Sequence, residues 1–428
     1  MREQRGGGVA QQHIIYGGNA SVLLFDLSLK YRHVLQKYDE IVISTSNHNA
    51  NINPWIELVT TTCKDLCLKV VWWDQGVSTS APPVTASTKL VLLTHCSNVF
   101  GSLYDIKAQS SVIKELSGGR AHVIVDGVAA APHRFVDFSS LPCVDFYAVS
   151  CHKLFGPHIG VMVGRKPAMR EVEKANCWGS ATAGTASSAA DADTCDSRFW
   201  ERGTVNFEAC AGIVGLLEYF ISLGEMDESK PPGAAGGGEG GGGGGGGVAD
   251  AGGIASGVAS LSLSAHNEEG GLSLPCFPHL TRLDLSKLNR SLIESAYYHI
   301  ELAEAAPLTY LLGKVRLWKN VILVSEGDDQ HLFSNRRRLP IVSIVHRTVN
   351  SEAIATELLS QGMIVRSGFF LSDTCLQAWA TRFKGWGGEG GQYDHFKAHG
   401  AVRISMAHYN TIDEVERVCR CLEAIDGW

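Results

Sequence analysis

The 428-residue chain has 45% hydrophobic and 19% charged residues and a formal net charge of −7, the proportions of a globular protein long enough for two domains and a sizeable core. The acidic balance gives no reason to expect nucleic acid or an anionic membrane as partner, no unbroken run of 18 apolar residues reads as a spanning helix, and MREQRGGGVAQQ at the N-terminus lacks the apolar core of an export signal. Twelve cysteines without a CxxC pair offer no metal site and read as free thiols in a reducing, cytoplasmic compartment, with an organelle left open.

A flexible tail is expected over residues 1–12. His13 to Tyr16 and the turn of Gly17, Gly18 and Asn19 then lead into Ser21 to Leu29, an apolar stretch of helical character. A short polar side chain just before a helix caps it, and glycines there let backbone N–H groups face an anion. Short apolar runs follow at Glu40–Ser44, Leu68–Trp73, Leu90–Thr94, His122–Val125, Phe146–Val149 and Ile159–Val163, with helical spacing over Ile106–Leu116. Buried β-rich runs separated by helices predict an α/β domain with a largely parallel sheet, and such sheets bind ligands beyond the carboxyl ends of their strands. The polar residues at those ends are His48, then His95 and Asn98, then Asp126, then Ser150, His152 and Lys153.

Phe207 to Leu223 is again helical. Lys230 to Gly271 is dominated by Gly, Ala and Ser, with glycine unbroken from Gly240 to Gly247, and cannot bury enough apolar surface to offset its chain entropy; a disordered insertion is expected over 227–275. Leu283–Leu302 reads as a long helix. Strand-like runs at Val321–Val324, Ile341–Val345 and Ala401–Ser405 then alternate with helical ones at Ser351–Gln361 and Ile412–Ile425. The expected organisation is a large domain over 13–226, the insertion, and a linking helix with a smaller α/β domain over 276–428.

Asp126 and Lys153, 27 residues apart, are spaced as one strand end and the next. A desolvated lysine has a lowered pKa and forms a Schiff base with a carbonyl, and a carboxylate nearby keeps a pyridine nitrogen protonated. Together they describe a pyridoxal phosphate (PLP) site. A plain Asp–Lys ion pair answers the same spacing, whereas a dinucleotide site would need a GxGxxG after a strand, which the chain lacks.

Six stretches in order carry a resemblance: NHNANINPW (Asn47 to Trp55), THCSNVFGS (Thr94 to Ser102), DGVAAAPH (Asp126 to His133), SCHKLFGPHIG (Ser150 to Gly160), ERGTVN (Glu201 to Asn206) and VRISMAHYN (Val402 to Asn410). From about His13 to the C-terminus, outside the insertion, the chain resembles the class V aminotransferases of PLP fold type I, nearest the cysteine desulfurase-like and selenocysteine lyase branch. The resemblance implies a large, mostly parallel sheet domain with a smaller C-terminal α/β domain. It also implies a PLP-dependent transferase or lyase acting on a small α-amino acid. Lys153 would hold the cofactor as a Schiff base and carry the proton at the substrate α-carbon. Asp126 would pair with the ring nitrogen, His48 stack on the ring, and Asn98 bond the ring oxygen or the substrate. Ser150, His152 and the backbone near Asn19 and Ala20 would hold the phosphate, Thr204 would reach the phosphate of a partner subunit in a homodimer, and Arg403, with Arg366 at the mouth, would bind the substrate carboxylate. The alternative is a degenerate member kept as an interaction or regulatory protein.

Three departures bear on the reaction. The desulfurase branch has a nucleophilic cysteine just after VR[TS]G; here Val365 to Leu371 reads VRSGFFL, and Cys375 lies beyond it, which puts persulfide chemistry in doubt. Ala129 stands where the family has Gln or His beside the ring oxygen. The family also has several dozen residues ahead of the phosphate turn, so the small domain is expected to lack part of its sheet.

Overall fold

The computed structural model describes residues 12–77, 81–176, 197–226, 290–326, 337–383, 391–425 and 428. The glycine-rich insertion expected at 227–275 and nearly all of the expected N-terminal tail lie outside them. Two compact units result: Met1–Leu216 with Tyr297–Trp428, and Leu217–Ala296. In the second unit Gly224 backs onto Leu292, where a Cβ would lie 2.3 Å from the Leu292 carbonyl oxygen, and Ser295 Oγ donates to Gly224 O at 3.0 Å.

The first unit holds two sheets. Seven strands form the larger: β1 (Gln12–Gly17), β2 (Glu40–Ser44), β3 (Lys69–Trp73), β4 (Thr88–Thr94), β5 (His122–Asp126), β6 (Phe146–Ser150) and β7 (Gly160–Arg165). Their order is β1-β7-β6-β5-β4-β2-β3; the five from β6 to β3 are parallel, while β7 runs antiparallel to both β6 and β1. The smaller sheet, β10-β11-β9-β8, is antiparallel throughout and is built from β8 (Val321–Val324), β9 (Ile341–His346), β10 (Arg366–Gly368) and β11 (Ala401–Ser405). The helices are α1 (Ala20–Tyr31), α2 (Asn53–Glu57), α3 (Ile106–Leu116), α4 (Lys166–Asn176), α5 (Ser197–Trp200), α6 (Phe207–Gly224), α7 (Arg290–Val315), α8 (Ser351–Ser360), α9 (Asp373–Arg382), α10 (Gly391–His399) and α11 (Ile412–Glu423).

The period of two along each strand explains why the central runs are apolar without a break. Ile41, Ile43, Leu90, Leu92, Ile124, Phe146 and Ala148 join one core cluster with Leu23, Leu24 and Leu27 of α1 and Met169 of α4. The alternate positions Val42, Val91, Leu93, Val123, Val125 and Tyr147 join another with Ile106 and Ile113 of α3. Both faces of the sheet are therefore covered. In the smaller sheet Val342, Ile344, Val402 and Ile404 pack with Leu308, Leu311 and Leu312 of α7, Ile354 and Leu358 of α8, and Val415 and Leu422 of α11. This packing also explains why α7 runs on past Leu302 through Pro307: its last turns bury four side chains, which outweighs the missing N–H of one proline.

Helix α6 leaves the expectation of no unbroken apolar run standing. At 18 residues with mean hydropathy 1.4 it is long and apolar enough to cross a membrane by length and composition, although Glu208 and Glu218 interrupt any unbroken apolar run. Only 17% of that stretch is buried.

Candidate active site

Four neighbouring strands, β6, β5, β4 and β2, end side by side and deliver Lys153, Asp126, Asn98 and His48 to one cavity of about 510 Å³. The sequence expectation of a shared crevice is met at all four ends. His95, also at a strand end, is turned away from it: its Nδ1 lies 2.6 Å from Tyr147 Oη beneath the sheet.

Lys153 lies on a 3-10 turn, Cys151–Leu154, which closes with Phe155 in the left-handed region at φ +67°. Such a backbone in a bulky residue is strained, and strain of this kind gathers at functional sites. The side chain is exposed to the cavity, yet the surrounding protein and the Arg403 guanidinium lower its pKa against the opposing pull of Asp126. Desolvation by the surrounding protein is the largest of these effects. Buried Asp126 accepts one hydrogen bond on its carboxylate, at Oδ1 from Val128 N (2.9 Å), so an oxygen remains for a ligand. His48 caps the following turn, its Nδ1 accepting from Ala50 N at 3.1 Å. That bond fixes the proton of the neutral ring on Nε2; burial lowers the pKa, with Lys153 and Arg403 adding to the effect and Asp126 opposing it.

At the other end of the cavity the first turn of α1 is capped by Asn19, whose Oδ1 accepts from Val22 N at 2.9 Å and leaves the earliest amides of the helix without intrahelical partners. Gly160 makes this placement possible: a Cβ there would lie 2.3 Å from Asn19 C and 2.6 Å from Ala20 N. Ser150 Oγ sits 2.8 Å from His152 Nδ1, and the His152 ring stacks on His158 at 4.9 Å. Burial, Lys153 and His158 all lower the His152 pKa. His158 was not singled out from the sequence; its place two residues before Gly160, in the same turn as Lys153, was the available signal.

A second cavity of about 340 Å³ shares Asn98, Val128, Ala129, His152 and Lys153 with the first and extends to Arg403. Arg403 donates from Nη1 to Asn98 O at 3.1 Å, lies over the Phe370 ring at 5.0 Å, and has an Nε without a hydrogen-bond partner. A guanidinium lining a cavity fits a carboxylate ligand. Arg366 faces Arg403 across the β10–β11 pair but lines neither cavity. Thr204 is exposed and likewise outside both.

Asn98 does more than line the cavity. Its Nδ2 donates to Phe370 O (3.2 Å) and its Oδ1 accepts from Ser372 Oγ (2.8 Å), pinning the loop that follows β10. In that loop Phe370 and Leu371 both have positive φ, at 58° and 54°. Cys375, just beyond, is 1% exposed with its pKa pushed well above the thiol range by burial. Ala129 presents only a methyl group to both cavities.

These groups fit PLP: an amine that desolvation makes more readily neutral and so able to attack, a carboxylate with a spare oxygen at one end, and amides with hydroxyl and imidazole donors at the other. The profile of the aminotransferase class-V family matches residues 8–232 and 323–418, and that family uses PLP. The aminotransferase-like protein FGM3 of Gibberella zeae is 35% identical over 167 residues, 37% of this chain and 39% of the relative. The cysteine desulfurase-like protein ustD of Aspergillus flavus is 35% identical over 167 residues, 36% of each. A cysteine desulfurase of Serratia proteamaculans is 31% identical over 196 residues, 45% of this chain and 47% of the relative. The matches thus span less than half the length of these relatives. Among solved structures, the apo cysteine desulfurase of Thermococcus onnurineus has a TM-score of 0.62 at 19% identity, covering 96% of this chain and 78% of that one. A lysine-to-alanine variant of C-DES with glycine covalently linked to its PLP cofactor has a TM-score of 0.59 at 14% identity, covering 96% and 80%. At such identities these two show the fold, PLP fold type I.

Proposed function

The chain belongs to the class-V aminotransferase family, and from that premise we propose that it is a PLP-dependent transferase or lyase acting on a small α-amino acid. The observation that supports this most is the convergence of Lys153, Asp126 and His48 on one cavity that ends at the first turn of α1. When bound, PLP supplies an aldehyde that takes amines covalently and a ring that accepts the electron pair left at the α-carbon.

The chain's own residues do the rest. Lys153 would be the amine that holds the cofactor, and would take up and return the proton at the substrate α-carbon. Its lowered pKa makes the neutral amine available for both tasks. The Asp126 carboxylate would pair with the ring nitrogen, and the His48 ring would stack on the cofactor. Amides at Ala20 and Ser21, Ser150 Oγ and His152 hold the phosphate. Arg403, which lines the second cavity, orients the substrate carboxylate, and Arg366 attracts it to the mouth. Asn98 holds the loop over Arg403 in place and keeps one amide hydrogen for the cofactor or substrate. The larger sheet carries the cofactor-binding strand ends, and β10 and β11 of the smaller sheet carry Arg366 and Arg403. Thr204 completes the phosphate site of a second copy, and the described cysteines, all free thiols, suit the cytoplasm.

Protein incubated with PLP is expected to turn yellow and keep the colour through desalting. Borohydride reduction followed by peptide mass analysis should then place a pyridoxyl group on Lys153, and Lys153→Ala should abolish the retained colour. A wild-type chain that stays colourless overturns the enzyme reading and leaves an interaction protein built on the same fold.

A further inference from the structure

The second cavity contains a group that none of the roles above uses. His133 is 8% exposed and lines it together with Lys153 and Arg403. The His133 Nδ1 lies 2.6 Å from Glu304 Oε1, on α7, and Glu304 is itself 3% exposed. Among the described residues His133 Nε2 has no hydrogen-bond partner, and it is not walled off from the cavity as a sealed core atom would be. A histidine serving only the core has both ring nitrogens satisfied; this one has a carboxylate behind it and an open nitrogen in front. Glu304 is equally unusual. Its Oε2 accepts no hydrogen bond and lies 3.7 Å from Arg134 Nη1. Burial raises its pKa against the pull of His133 and Arg134. A carboxylate behind an imidazole orients the ring and offsets the charge of the imidazolium.

We infer that His133, held by Glu304, is a second proton carrier of the site, exchanging a proton with a heteroatom on the substrate side chain while Lys153 serves the α-carbon. The inference deepens the PLP reading and rests on it. It assigns the substrate class as α-amino acids with an O, N or S atom on the side chain. In the step, the side-chain X–H bond breaks as Nε2–H forms. X keeps the electron pair, His133 becomes an imidazolium, and Glu304 stays ionised beside it. The return step reverses both bonds, so no oxidant or co-reactant is needed. The groups facing the dyad are Glu301 of α7, Arg134 beside His133 in the chain, and His408 beyond β11. Across the cavity stand Lys153 and Arg403. Burial and His133 push His408 down to about 4, so it stays neutral through the range of the test.

The test uses full-length protein loaded with PLP, with L-serine and L-cysteine as probes. His133→Gln is expected to load the cofactor, to lower kcat about 100-fold with KM changed by less than about threefold, and to erase one limb of the kcat pH profile. Glu304→Gln should shift that limb to lower pH, because the imidazolium loses its counter-charge. Added imidazole should restore turnover to His133→Ala. Three results overturn the inference: wild-type kcat in His133→Gln, loss of kcat with an unchanged pH profile and no imidazole rescue, or loaded wild-type protein that turns over neither probe. Wild-type protein that takes up no PLP overturns the function itself and this inference with it.

Discussion

Cys375 sits among Val99, Phe100, Trp379 and Phe396, with its Sγ 3.9 Å from Ser97 Oγ. A persulfide mechanism needs a thiolate that substrate can reach, and this thiol is both buried and held protonated. Cys375→Ser is therefore expected to lower stability by about 1–3 kcal/mol, the cost of burying a poorly paired hydroxyl, while amino-acid turnover by the loaded enzyme stays within about twofold. Loss of turnover in a variant that still binds PLP would return this cysteine to the mechanism. His95 gives a second test at this scale. Burial holds its pKa down at about 4, whereas an unfolded histidine titrates near about 6.5. Between those values the unfolded chain binds a proton that the folded chain refuses. The stability His95 contributes is thus whole above about pH 6.5 and is lost as pH falls toward 4. Urea midpoints should drop across that window, and His95→Gln should flatten the drop; an equal slope in wild type and variant would assign it to other groups.

At the scale of elements, Gly160 joins the strand after Lys153 to the start of α1. It faces Gly17 in the β1–β7 pair, and the atoms a Cβ would strike belong to the Asn19–Ala20 backbone, which cannot swing aside as a side chain can. Gly160→Ala should cost about 1–3 kcal/mol by overpacking. It should also weaken PLP more than pyridoxal, which lacks the phosphate; equal losses in the two titrations would remove the α1 turn from phosphate binding. The central elements were legible because burial on both faces leaves an apolar run with polar ends: Glu40–Ser44, Ile106–Leu116, Val321–Val324 and Ala401–Ser405 have the bounds read from the sequence. The antiparallel run of β7 was not legible, since an apolar run carries no direction. Nor was β10, three residues held by pairing to β11 rather than by their own pattern. The double role of Asn98 was hidden for a related reason: its partners Phe370, Ser372 and Arg403 lie 272 to 305 positions away, and only the fold brings them together.

For the molecule as a whole, an exposed aromatic side chain stands at the head of α6. Phe207 there is 71% exposed, and Thr204 just ahead of it is exposed and lines neither cavity. On the dimer reading proposed above, a second copy of the chain would cover Phe207 and receive Thr204 at its phosphate site. Obligate dimers of this kind bury interfaces of roughly 2,000 Å² or more, rich in apolar side chains. Sedimentation velocity at micromolar concentration is expected to show a dimer. Phe207→Glu, which would bury an unpaired charge in the interface, should shift it toward monomer and weaken PLP at the same time. Thr204→Val should leave the dimer intact and weaken PLP alone, by the loss of one hydrogen bond to a charged group, about 1.5–3 kcal/mol. The two variants separate assembly from the phosphate contact. A wild-type monomer that binds PLP as tightly at high dilution as at high concentration would show that each chain completes its own site.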